Sequence, residues 1–205
     1  VGSVDKLSNE QSRGNLPIKL FVDQAAFDAW ILAQSRDCPG LWLRLPKKDG
    51  GIASTLTRAE AIDVALCHGW IDGQLDRFDN ASYLIRFTPR RAKSKWSLIN
   101  ARRTVELAAA GKMRPAGQAE IDAAKSDGRW DAAYAPQGSA TVPDDLRAAL
   151  DANPQASAFF ATLSGANRYA ILYRVNTVKK AQTRARKIQD FVAMCERGEV
   201  LHPKK

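Results

Sequence analysis

Apolar positions along the first ninety residues alternate between two periods, and each switch marks an element. Ile18-Lys19-Leu20-Phe21-Val22 reads as a strand, and Asp23 stands where a helix N-cap belongs. The helix expected over 24–34 puts Phe27, Trp30, Ile31 and Gln34 on one side. Cys38-Pro39-Gly40 breaks it. Leu41-Trp42-Leu43-Arg44-Leu45 alternates, with the three leucines on a buried face. Lys47-Lys48-Asp49-Gly50-Gly51 reads as a turn. Thr57-Arg58-Ala59-Glu60 is a capping box, because hydroxyl and carboxylate each satisfy an orphan amide. It opens a helix to His68, stopped by Gly69. Residues 70–78 and 82–88 then read as paired strands around the turn Asp79-Asn80-Ala81.

Beyond Pro89 the period becomes helical throughout. Ser94 or Ser97 caps a helix ending at Gly111, and Pro115 starts one ending near Gly128. Shorter helices are expected from Pro143 and over 155–163. Ser164 caps another to about Tyr173, and a last one runs over 181–197. In that last helix Ala181, Ala185, Ile188, Val192 and Cys195 form the stripe expected to bury, leaving Arg184, Arg186 and Lys187 off it. The fold class is therefore α+β: a small β-α-β-α-β-β sheet domain followed by a helical C-terminal region. Its expected divisions are a flexible tail over 1–17, the sheet domain with trailing helices over 18–134, a linker over 135–143 and a helical domain over 144–205.

Composition narrows the class. The chain has 205 residues, of which 45% are hydrophobic and 26% charged, as in an ordinary globular protein. No apolar run approaches a membrane span, and the polar start lacks a signal-peptide core, so a cytoplasmic location is expected. Three distant cysteines and two histidines offer neither a disulfide framework nor zinc-ligand spacing, so no metal or cofactor is expected. The net charge of +9 is unevenly spread. Between Asp79 and Glu106 there is no acid, only Arg86, Arg90, Arg91, Lys93, Lys95, Arg102 and Arg103. Between Asp151 and Asp190 the same holds for Arg168, Arg174, Lys179, Lys180, Arg184, Arg186 and Lys187. Such windows attract phosphates, nucleic acid or anionic surfaces.

The densest chemistry lies in the first window. Trp70, Asp72 and Gln74 share one face of a strand, and Arg86 and Thr88 one face of its partner. A hairpin centred on Asn80 sets Asp72 across from Thr88 and Gln74 across from Arg86, a register that a one-residue slip would undo. Arg90, Arg91, Lys93 and Lys95 precede a helix start, where backbone amides and cations together suit an anion. Trp96 and Asn100, four apart, would share a helical face, with Trp96 either core or a stacking platform. The candidate ligand-binding set is thus Trp70, Asp72, Gln74, Arg86, Thr88, Arg90, Arg91, Lys95, Trp96 and Asn100. The alternative is an internal ion pair of Asp72 with Arg86 or Arg90 that only pins the hairpin. A secondary basic surface comprises Arg168, Arg174, Lys179, Lys180, Arg184 and Lys187. Cys67 and His68 are adjacent at a helix end, where side chains diverge by about 100°, which argues against a thiolate–imidazole pair. No phosphate-loop, dinucleotide or nucleophile-elbow pattern occurs.

Three stretches carry a family resemblance. Cys67–Asn100 contains GWIDG, RFTPRR and W-S-x-x-N, and Gly111–Trp130 and Phe159–Glu199 continue it. Together they resemble the YdeI/OmpD-associated, or bacteriocin-protection, family over about residues 18–201. That resemblance implies a helical domain over about 144–201 and a role in tolerating antimicrobial peptides or bacteriocins, with no catalytic residues to carry over. The expectation is a cytosolic binding protein whose basic surface takes an anionic small molecule, a phosphate-bearing ligand or a protein partner. The alternatives are an enzyme acting on a phosphorylated or nucleotide-like substrate, with Asp72 as acid/base, and a nucleic-acid-binding module.

Overall fold

The computed structural model describes residues 11–48 and 50–203, so 1–10 of the expected tail and Asp49 of the expected turn lie outside the described residues. It is α+β, as expected. Five strands, β1 (Ser12–Arg13), β2 (Leu16–Lys19), β3 (Leu41–Pro46), β4 (Trp70–Arg77) and β5 (Ser82–Pro89), form one sheet in the order β1-β2-β3-β5-β4. Only β2 and β3 run parallel. Their crossover is α1 (Gln24–Leu32), and α2 (Arg58–Cys67) joins β3 to β4. The described residues through Ser94, together with Asn100–Trp130, form one compact unit. Lys95–Ile99 and the residues from Asp131 on form a second.

Local chemistry places the first elements as the pattern predicts. Asp23 accepts from the Ala26 amide and caps α1, and Thr57 and Glu60 complete a reciprocal capping box on α2. Leu41, Leu43 and Leu45 point with Ile85 and Phe87 into a core closed by Phe27 and Ile31 of α1 and Ala61, Val64 and Ala65 of α2. The opposite sheet face carries a smaller cluster of Leu16, Trp42 and Leu84.

The first strand is shifted from its expected place at 18–22. Pro17 and Leu16 pair with Ser12 and Arg13, so residues 12–17, read from sequence as tail, form a hairpin. After Lys19 the chain leaves the sheet. Leu20 and Val22 are exposed, and the Phe21 and Val22 carbonyls accept from Ser54 and Thr55 instead.

The remaining helices are α3 (Leu98–Ala109), α4 (Pro115–Ser126), α5 (Asp144–Asp151), α6 (Pro154–Thr162), α7 (Gly165–Asn176) and α8 (Ala181–Glu196), with a 3-10 turn at Gln137–Ser139 inside the expected linker. In the second unit Leu146, Leu150, Phe160, Ile171, Val175, Ile188, Phe191 and Cys195 share a core. The buried stripe of α8 is rotated from the expected one: Ala181 and Ala185 are exposed. Phe191 outweighs two alanines in buried area and sets the face.

Candidate functional site

Register decides which of the expected residues meet. Trp70, Ile71 and Asp72 pair with Pro89, Thr88 and Phe87, whereas Leu75 and Asp76 pair with Ile85 and Leu84. Gly73 and Gln74 together oppose Arg86, forming a bulge that offsets the two halves by one residue. Asp72 therefore does not face Thr88. It shares the helix-covered face with Phe87, and its carboxylate lies 3.9 Å from Arg58 of α2. Arg86 stands across from Trp42, on the other face with Thr88, and its buried Nε has no hydrogen-bond partner among the described residues. The expected patch of Asp72, Gln74, Arg86 and Thr88 is divided by the sheet. Gln74 is exposed on the bulge.

Trp70 and Arg90 do come together. The Trp70–Pro89 pair closes the hairpin ladder, and the Arg90 amide donates to the Gly69 carbonyl at 2.9 Å. Both residues line a cleft of about 610 Å³ in the first unit. Its other walls are Ile31 and Arg36 near the end of α1, His68 after α2, and Arg114, Pro115 and Glu120 at the start of α4. Trp70 meets Trp30 edge-on at 5.9 Å. Arg90 is only 7% exposed, a charge held inside the wall.

Two glycines bring α4 this close. Gly69 has φ +75°, and a Cβ there would lie 2.9 Å from the Ala116 carbonyl oxygen. A Cβ on Gly117 would lie 2.2 Å from the Cys67 carbonyl oxygen. The first turn of α4 thus rests on the last backbone of α2, and the Arg114 amide donates to Cys67 at 3.1 Å.

His68, buried at the C-cap of α2, holds its Nε2 2.8 Å from Asp28 Oδ1 of α1. The second Asp28 oxygen lies 3.6 Å from Arg114. This cluster escapes sequence reasoning, because Asp28 and His68 are 40 positions apart. The only hint is an acid beside the buried positions of α1 and a lone histidine closing α2. Burial pushes the neighbouring Cys67 thiol up, against its use as a nucleophile.

A second cleft of about 640 Å³ in the first unit is lined by residues that include Asp28 and Arg114. Its acids are committed within the fold: Asp23 and Glu60 cap helices, Asp63 takes two nitrogens of Arg103, and Asp28 takes His68.

The other expected site residues disperse. Arg91 is exposed, and its amide donates to Ser94 Oγ, which closes that loop on itself and caps no helix. Lys95 and Trp96 belong to the second unit, and Asn100 to the first. Trp96 precedes α3, so it shares no helical face with Asn100, and at 1% exposure it is core and no stacking platform. Lys95 lies 5.0 Å over the Tyr173 ring, which packs edge-on against Tyr134. Desolvation there, with Lys187 nearby, pushes the Lys95 amine below the ordinary lysine value.

Much of the secondary basic set is structural. Arg184 grips Asp145 of α5 through two nitrogens and donates to the Val175 carbonyl. Arg168 donates to Ala161 at the end of α6, and Arg174 to Ala170. Lys187 is half-buried, while Lys179 and Lys180 are exposed.

A mixed five-stranded sheet with a polar cleft, joined in one chain to a helical unit, defines a two-unit α+β protein. Residues 139–198, within the helical unit, match the family described as bacteriocin-protection, YdeI or OmpD-associated. Residues 19–120, which contain every residue lining the 610 Å³ cleft, match a domain of unknown function, DUF8412. No curated protein and no solved structure matches the chain. Among the described residues no helix is long and apolar enough to cross a membrane, and no group of side chains suits a metal ion.

Proposed function

We propose that this chain is a cytosolic binding protein of the YdeI/OmpD-associated type that holds a small organic anion in the first unit's cleft. The observation that carries this reading is Arg90, an arginine nine-tenths buried in a cleft that also collects Arg36 and Arg114. Guanidinium groups in a partly desolvated wall suit carboxylate, sulfonate or phosphate oxygens. The cleft is far larger than an inorganic ion, and Ile31, Leu32, Trp70, Pro89 and Pro115 give it an apolar side for the ligand's body. Free thiols at Cys38, Cys67 and Cys195 accord with a reducing compartment. The family description supports a role in tolerating bacteriocins or antimicrobial peptides. The enzyme alternative loses its acid/base, since Asp72 pairs with Arg58 away from the cleft. The nucleic-acid alternative loses Arg168 and Arg184, which hold the second unit together.

Calorimetric titration with phenyl phosphate tests the reading. Binding is expected, and Arg36→Ala with Arg114→Ala should weaken it by about tenfold or more. Both arginines are over half exposed, so the melting temperature should hardly move. Absence of binding, or equal binding by the double variant, overturns the proposal.

A further inference from the structure

We infer that His68 is the proton-carrying member of this cleft, so that an organic oxyanion enters together with one proton. This rests on the anion-binding reading above. Asp28 occupies Nε2 at 2.8 Å, and His68 lines the cleft, so Nδ1 is the ring nitrogen left for a ligand. In the neutral ring, with Nε2–H donating to Asp28, Nδ1 presents a lone pair that repels an anion. In the protonated ring Nδ1–H donates to the ligand while Nε2–H keeps its bond to Asp28. The proton comes from a solvent or buffer acid, whose bond to it breaks as the Nδ1–H bond forms; no other covalent bond changes.

The charges around the ring fit such an exchange. Asp28 faces it from α1, Arg114 and Glu120 from α4, and Arg36 and Arg90 complete the cleft. Arg114 shares Asp28, and Arg36 lies 3.8 Å from Glu120, so both are partly neutralised within the wall. Cys67 next to the ring is held protonated by burial, and Asp63 one turn earlier is taken by Arg103. An incoming anion thus meets arginines already sharing carboxylates, and a charged imidazole supplies the missing cation. Histidine is the side chain suited to gain that charge near neutral pH.

The probe is benzenesulfonate, which stays ionised throughout the range and contributes no proton of its own. Titrations in buffers of different ionisation enthalpy should show net proton uptake on binding. Affinity should fall by up to about tenfold per pH unit above the imidazole transition. The chain has only two histidines, so ring NMR signals separate His68 from His202. Saturating probe should raise the His68 titration midpoint and leave that of His202 unmoved. His68→Gln retains an amide donor for Asp28 and should bind without proton uptake or pH dependence. If that variant does not fold, the wild-type NMR titration decides. Binding with no proton uptake and no movement of His68 overturns this inference and leaves the anion cleft standing. No binding at any pH overturns both.

Discussion

Arg184 links three helices of the second unit: it reaches from α8 to Asp145 on α5 and to the last turn of α7. Replacing it with alanine strands the Val175 carbonyl and the Asp145 carboxylate. The pair is partly exposed, so the expected loss in denaturant unfolding is only about 1–2 kcal/mol. The guanidinium holds the Asp145 carboxyl below the ordinary aspartate value. A carboxyl whose folded value is depressed lends stability that is present above its unfolded value and disappears as pH falls through the folded one. Unfolding measured from pH 6 down to pH 2 should therefore be less acid-sensitive in Arg184→Ala than in the parent. An unchanged acid dependence would mean the pair contributes nothing. In sequence Arg184 is one cation in an acid-free window. Only its position on α8 beside Ile188 and Phe191 turns it toward α5, and that position depends on which residues of the helix bury.

Elements in this fold are decided locally at some ends and by neighbours at others. The capping box of α2 and the leucine alternation of β3 were legible because their partners lie within a few residues. The Gly73-Gln74 bulge was not, since a two-to-one fit of an edge strand leaves no mark in the pattern of either strand alone. Its consequence was direct: Arg86 and Thr88 lie on the sheet face opposite Asp72. The seat of α4 on α2 was half-legible, with Pro115 announcing the helix and nothing announcing that Gly117 touches Cys67. Gly117→Ala forces a methyl into a carbonyl oxygen and should cost about 1–3 kcal/mol, read as a lowered denaturant midpoint. The strain falls on the α4 turn that carries Arg114, so phenyl phosphate affinity should fall as well. An unaffected midpoint would mean the two helices are less tightly apposed than described. At the hairpin tip Asp79 accepts from the Ala81 and Ser82 amides and from the Ser82 hydroxyl, bonds that hold its carboxyl below the ordinary value. By the same sign, amide-exchange protection at 81 and 82 should drop as this group protonates in acid.

For the molecule as a whole, the net charge of +9 supports long-range attraction of anions, but the cleft proposal concerns a short-range site. Salt separates the two. Raising sodium chloride from 50 to 200 mM should weaken phenyl phosphate binding by a few-fold at most, whereas a surface making many phosphate contacts would lose orders of magnitude. The fold class was readable from the chain, and so was the order of elements apart from β1, which the sequence reading left in the tail. The cleft was not, because Asp28, His68, Arg90 and Arg114 come from four separate places and are joined only by packing.

The division of the chain has a consequence during its synthesis. Lys95–Ile99 belongs with residues from Asp131 on, and its Trp96 and Leu98 backbones bond to Tyr134. At ribosomal speeds of about 5–20 residues per second, this segment waits several seconds for its partner to be made. The first unit is likewise incomplete until Trp130 has emerged. The second unit therefore cannot close until the whole of the first has been made, and the nascent chain carries the apolar Trp96 through that interval.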